Sequence, residues 1–270
     1  MTEAEGTKSP RERYRAQVRA EIKEHAWEQI ATAGASALSL NAIAKRMGMS
    51  GPALYRYFGS RDELITELIR DAYRSLADTF RATASRHGAD VRALAHALRA
   101  WALADPQRYL LLYGTPVPGY HAPADITAIS AETMATILDA WAAQPSDAQE
   151  TPEAREAQAT PEAPDAQETR EALDAQETRE ALEATGTRRA PFAAHLASHR
   201  DWAGDHPAPP AALHRALTFW TRLHGVLSLE LAGHFTGMGF DPARLFAAEL
   251  DALTGRPEAG RPEAGRPEAG

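Results

Sequence analysis

From Val18 onward an apolar residue returns every fourth position, through Ile22, Ala26 and Ile30, with polar residues between, and Gly34 follows. That period predicts an amphipathic helix ended by a glycine. The next rhythm is tighter. Ala44, Gly48 and Leu54 stand four and then six residues apart within SLNAIAKRMGMSGPALYRYF, Ser39 to Phe58. Two short helices crossing at a sharp turn need a small residue where the second passes over the first. They also need a glycine where the turn takes positive φ, and an apolar plug on the second helix. Ile43 and Met47 add a shared apolar face, and Ser39 and Ser50 stand where N-caps are wanted. Pro52 falls in the first turn of the second helix, where its missing N–H costs nothing. The pattern predicts a helix-turn-helix.

Phe58-Gly59 stops that helix, and Ser60-Arg61-Asp62-Glu63 has the form of a capping box. The box opens a long helix carrying Leu64, Ile65, Leu68, Ile69, Ala72, Leu76 and Phe80. Helical periodicity continues beyond residue 88. Val91, Leu94, Ala95, Leu98 and Trp101 share a face, and Asp105-Pro106 begins another helix. A further helix is predicted from about Pro123 to Ala143. Leu213, Leu217, Trp220, His224, Leu227 and Leu231 alternate by four and three, a seam of the helix-pairing kind. Asp241-Pro242 opens the last helix, with Leu245, Phe246, Leu250 and Leu253 on its apolar side. Nothing reads as a strand, so the fold class is all-α.

Two stretches break the pattern. Residues 145–190 hold twelve Asp/Glu and five Arg, and DAQETREAL at 165–173 repeats directly at 174–182. Such a segment cannot bury enough apolar surface to offset its ordering entropy, so it is expected to be a disordered insertion. RPEAG occurs three times at 256–270, a low-complexity tail. The expected organisation is a reading head at 11–73, a helical second domain at 74–255 and the tail.

Charge and composition narrow the function. The formal net charge of −8 argues against nucleic acid, yet residues 1–62 hold ten Lys/Arg against seven Asp/Glu. A local basic face is compatible with an acidic whole. Arg11, Arg13, Arg15 and Arg19 are expected to form a basic arm ahead of the first helix, following the phosphate backbone or serving as a solubilising tail. Cysteine is absent, which removes disulfides, thiolate metal sites and thiol nucleophiles. No apolar run reaches the length of a membrane span and the N-terminus is hydrophilic, so a cytoplasmic location is expected. His195 and His199 are four apart without an HExxH context, and no phosphate loop, nucleophile elbow or paired acidic signature is present. No catalytic residue, metal or cofactor is therefore expected. A helical protein-interaction module accounts for the bundle but leaves the string from Gly51 to Tyr57 unexplained, and a small enzyme lacks a signature.

The order of Gly34, LSLNAIA, GMSGPALYRYF and SRDEL resembles the N-terminal domain of TetR-family transcriptional regulators over about residues 11–73. The family usually carries Lys where Arg61 stands. WTRLHGVLSLE, Trp220 to Glu230, resembles the C-terminal ligand-binding domain of a subgroup with spaced Trp, His and Gly. The resemblance implies a sequence-specific repressor that binds a palindromic operator in double-stranded DNA as a homodimer and is released by a small-molecule effector. The expected DNA contacts are Ser39, Asn41, Ser50, Gly51, Pro52, Ala53, Tyr55, Arg56, Tyr57 and Arg61. Among these, Tyr55, Tyr57 and Arg61 are the implied backbone clamps. Dimerisation is expected through residues 211–232 and 241–253. Trp101, Tyr109, Tyr113, Met134, Trp141, Phe219 and His224 are the candidates to line an effector pocket.

Overall fold

The computed structural model describes residues 9–114, 116–121, 123–144, 192 and 194–255. The acidic repeat and the RPEAG tail lie outside the described residues. Among the described residues all regular structure is helical. The helices are α1 (Pro10–Ala33), α2 (Leu40–Arg46), α3 (Gly51–Leu54), α4 (Arg61–His87), α5 (Val91–Ala104), α6 (Pro106–Tyr113), α7 (Ala124–Ala142), α8 (Pro210–Leu231) and α9 (Pro242–Thr254). Short 3₁₀ turns occupy Ala35–Ala37 and Asp201–Ala203.

Helix α1 begins earlier than its apolar rhythm suggests. Ser9 accepts from the Glu12 amide, the Glu12 carboxylate accepts from the Ser9 amide, and Pro10 takes the first helical position. That reciprocal cap draws Arg11, Arg13, Arg15 and Arg19 into the helix, so they do not form an arm ahead of it. Val18, Ile22, Ala26 and Ile30 are its buried stripe, and Gly34 ends it at φ 77°.

The turn between α2 and α3 is a Schellman motif. The Met49 amide bonds the Ala44 carbonyl at 2.9 Å, and the Gly48 amide bonds that of Lys45 at 3.2 Å. Gly48 sits at φ 67°, a conformation that disfavours any residue with a Cβ. Ala44 and Leu54 are buried at the crossing, with Ile43 beside them.

Two hydrophobic cores share α4. Its first half gives Leu64, Ile65, Leu68 and Ile69 to a core with α1, α2, Leu54 and Phe58. Its second half gives Leu76 and Phe80 to a larger core with α5, α6, α7, α8 and α9. Val117 and Ile126, from the α6–α7 connection and the start of α7, plug into the first core. The Arg70 guanidinium reinforces the joint by donating to Asp125 at the head of α7. The hydroxyls of Thr66 and Tyr120 meet at 3.1 Å across the same junction. The head is thus tied to the second layer by one continuous helix and by apolar plugs.

The predicted pairing seam on α8 faces inward. Leu213, His224 and Leu227 are buried in the chain's own core, and Trp220 and Leu231 pack against it. The exposed positions of α8 include Thr221, Arg222, Gly225 and Leu229. Of the two readings the spacing allows, a core of the chain itself or a face shared with a partner, these residues fit the first. The four-and-three spacing arises because α8 is central to the second core, contacting α5, α6, α7 and α9.

Candidate functional site

Two caps and a brace orient the outward face of the head. Ser39 accepts from the Ala42 amide at 3.4 Å and Ser50 from the Ala53 amide at 3.3 Å, fixing the starts of α2 and α3. Gln29 holds Ser39 from α1, its Oε1 accepting the Ser39 amide at 2.9 Å. At Gly51 a Cβ would lie 3.5 Å from Asn41 Oδ1, so the two helix starts adjoin. Leu54 points into the core, fully buried. Pro52, Tyr55 and Arg56 are exposed, with Tyr55 at 46 %. Gly51 and Ala53 are half-buried and Asn41 is exposed. Tyr57 is half-buried, packed against the head core beneath the Arg15 guanidinium, 5.9 Å from its ring centroid.

The arginines of α1 brace this face from behind. Arg15 donates to the Arg56 carbonyl at 3.2 Å and Arg19 to that of Tyr57, both beyond the end of α3. Arg19 also lies over the Phe58 ring at 4.1 Å and pairs with Glu67 at 3.7 Å. Arg61 is engaged in the same manner. Its guanidinium donates to the carbonyls of Leu38 (3.2 Å), Ala35 (2.9 Å) and Ser36 (3.2 Å). Arg61 therefore buttresses the approach to α2. The fork geometry of Arg, which Lys lacks, makes this three-way grip possible.

A second site lies in the larger core. A cavity of about 360 Å³ is lined by Tyr73, Tyr113, Met134, Trp202, Leu217 and Trp220, with Thr127, Ser130 and Ala131 alongside. The Tyr113 hydroxyl and the Trp202 indole nitrogen are buried without a hydrogen-bond partner. Burial raises the Tyr113 phenol well above its ordinary value, so it stays protonated. Behind this wall His224 lies 3.9 Å from the Trp220 ring and 4.3 Å from that of Tyr113, centroid to centroid. Burial pushes its pKa down to about 3, so the imidazole is neutral. Its Nδ1 meets the Tyr109 hydroxyl at 2.9 Å, and that hydroxyl also meets Ser228 at 2.9 Å.

Residues 22–68 match the family model for bacterial regulatory proteins of the tetR family, and residues 91–253 match that of the tetracyclin repressor-like C-terminal domain. The chain belongs to the TetR family. Its N-terminal helices are of the family's helix-turn-helix type, and the family is one of transcriptional regulators rather than enzymes. The chain is 49% identical over 135 residues to the HTH-type transcriptional regulator Rv1816 of Mycobacterium tuberculosis (strain ATCC 25618 / H37Rv), covering 48% of this chain and 58% of that one. The same figures hold for the HTH-type transcriptional regulator Mb1846 of Mycobacterium bovis (strain ATCC BAA-935 / AF2122/97). The chain thus spans somewhat more than half the length of these relatives. A crystal structure of a protein described as regulatory, SCO4313, superposes with TM-score 0.71 at 64% identity, over 92% of this chain and 100% of that one. A protein of unknown function from Rhodococcus sp. RHA1 shares the fold, with TM-score 0.54 at 17% identity over 93% of this chain and 97% of that one.

Within this TetR-type second layer the aromatic candidates divide. Tyr113 and Met134 line the cavity, and His224 stands behind it. Trp101, Tyr109, Trp141 and Phe219 do not line it and are core residues. Trp101 donates its indole N–H to Ser75 at 3.1 Å, and Trp141 and Phe219 pack edge to face at 6.0 Å. Tyr73, Trp202, Leu217 and Trp220 were not foreseen as lining residues. Tyr73 sits on the head-bearing α4, and Trp202 follows the acidic insertion in a short Gly- and Pro-flanked stretch. No periodicity marks either position, although an isolated Trp in a polar loop is a signal in itself. Among the described residues no group of three or more His, Cys, Asp or Glu can hold a metal ion. No helix among them is long and apolar enough to cross a membrane.

Proposed function

We propose that this protein is a cytoplasmic repressor that binds a palindromic operator as a homodimer and leaves it when a small effector enters the cavity bounded by Tyr73, Tyr113 and Trp220. One observation carries the DNA reading. The outward face of α3 is open, small at Gly51 and Ala53, and held rigid by caps and by arginines behind it. Small residues let the helix backbone approach the major groove. Pro52 and Ala53 suit a thymine methyl, and Arg56 suits a guanine edge or a phosphate. Tyr55 and Tyr57 present hydroxyls to phosphate oxygens. Ser39 and Ser50 use an oxygen lone pair in capping and keep a proton to donate to a phosphate, with Asn41 between them. Arg61 acts through the carbonyls of Ala35, Ser36 and Leu38 that set the approach to α2, as a positioning residue.

Dimerisation follows from how little one such head can read. Two heads about a two-fold axis read a palindrome, and their separation selects the half-site spacing. The outward surface of α8 supports a partner there. Gly225 is exposed, and a Cβ added to it meets nothing within 4 Å. Leu229, at 45 % exposure, lies one turn further on, and Ala248 and Ala252 are exposed on the adjoining α9. Small residues allow a second helix to come close. An effector then shifts the separation of the heads if it binds the DNA-incompetent geometry more tightly. Tyr73 is a cavity wall on α4, the helix that also carries the head core.

Selection of bound sequences from a random duplex pool tests the reading. The expected product is a palindrome, bound with an affinity that falls steeply with salt. Recovery of no preferred sequence, together with unchanged binding after replacement of residues 51–57, would count against it.

A further inference from the structure

We infer that the cavity beside Tyr113 and Trp202 takes an uncharged, flat aromatic molecule carrying a hydrogen-bond acceptor. This deepens the effector reading and rests on it for biological meaning, but the binding chemistry stands on the cavity alone.

Charge decides first. Among the described residues no Asp, Glu, Lys, Arg or His lines the cavity. An ionised ligand would surrender its hydration shell there with no counter-charge to replace it, a cost that buried ions do not recover without a partner. The tyrosines do not supply one, because burial keeps Tyr73 and Tyr113 protonated.

Hydrogen bonding decides next. Indole Nε1–H is a donor only, and that of Trp202 is buried and unpartnered. The Tyr113 hydroxyl is buried and unpartnered as well. Both residues line the cavity, and an occupant that brings an acceptor, such as a ketone, ester or ether oxygen, supplies the partner these two donors lack. A quaternary ammonium would find aromatic faces there, but it would leave the indole N–H unsatisfied, and no carboxylate among the described residues lines the cavity.

Shape completes the assignment. Tyr113 stands edge-on to Tyr73 at 6.2 Å and 89°, and edge-on to Trp220 at 5.6 Å and 78°. Rings set at right angles offer both faces and edges to a planar guest, the arrangements aromatic pairs prefer. A volume of about 360 Å³ accommodates one small ligand.

Four naphthalene derivatives titrated calorimetrically into the full chain provide the test. They are acetylnaphthalene (neutral acceptor), naphthalene (no acceptor), naphthoate (anion) and naphthylmethyl-trimethylammonium (cation). Acetylnaphthalene should bind most tightly. Trp202→Phe and Tyr113→Phe should each weaken it about tenfold, the worth of one buried hydrogen bond, while leaving naphthalene within about twofold. Leu217→Trp should fill the space and abolish binding of both, with thermal unfolding of each variant confirming the fold. Tighter binding of either ion, binding of none of the four, or indifference of acetylnaphthalene to all three substitutions overturns the inference. Release of operator DNA is measured separately. If acetylnaphthalene binds as expected yet releases nothing, the effector reading fails and the cavity's chemistry stands.

Discussion

Arg56 and Arg61 carry the same charge five residues apart and are put to opposite uses. Arg56 is exposed on the open side of the head, whereas Arg61 spends its fork on three carbonyls. Arg56→Ala should therefore weaken operator binding by about 1–3 kcal/mol and relax preference at one base position, with thermal stability unchanged. Arg61→Ala should instead lower the melting temperature, since three carbonyls lose a charged donor worth about 1.5–3 kcal/mol in total once exposure is discounted. Mobility shifts and calorimetry on the two variants separate these outcomes. Sequence discloses the charge of each residue but not its destination, because a guanidinium reaches carbonyls more than twenty positions away. His224 makes a prediction of its own. Its folded pKa of about 3 lies below the ordinary 6.5, so the unfolded chain binds the extra proton. The stability it contributes is complete above pH 6.5 and is lost progressively as pH falls toward 3. Thermal unfolding of His224→Phe should show a shallower loss of stability with acid across that window, and a slope equal to that of the unaltered chain would refute the assignment.

Elements were the most legible level. The stripes on α1 and α4 are buried at every position their periodicity picks out, from Val18 to Ile30 and from Leu64 to Phe80. The turn at Gly48 was legible for the same reason, that the requirement is local. Gly48→Ala meets no steric neighbour, so its whole cost is backbone conformation, about 1–2 kcal/mol. A fall of several degrees in melting temperature is expected, with operator affinity falling as the α2–α3 crossing loosens. An unchanged melting temperature would show that the turn tolerates a Cβ. Two elements were read less well. The start of α1 has no apolar rhythm, yet Ser9-Pro10-Arg11-Glu12 carries the capping signature that sets it. The seam on α8 was legible as a covered face, and its spacing fitted the chain's own core as well as a partner. Spacing reports that a face is covered, not what covers it.

At the scale of the whole molecule the proposed homodimer requires two heads held at a fixed separation. Gly225 lies in the exposed middle of α8, where glycine costs the helix about 0.5–1 kcal/mol against Ala. Gly225→Glu should leave the protomer at least as stable while blocking close approach of a second α8. Light scattering coupled to gel filtration should then report a monomer, with operator affinity much reduced. A dimer of unchanged mass would move the interface away from this face. The cavity shares Tyr73 with a second, smaller space of about 210 Å³ at the junction of head and body, lined also by Ile69, Val117 and Ile126. The cavity wall and the head core are therefore neighbours on one helix, which is what the proposed lever between them needs.

The helices, their caps, the helix-turn-helix spacing and the outward face of α3 were determined by the sequence alone, because each depends on residues within a few turns of one another. Which aromatics enclose space was decided only by the tertiary structure. Trp101, Tyr109, Trp141 and Phe219 are as aromatic as Tyr73, Tyr113, Trp202 and Trp220, but a cavity exists where packing from five separate elements fails to close, and no local pattern encodes that failure.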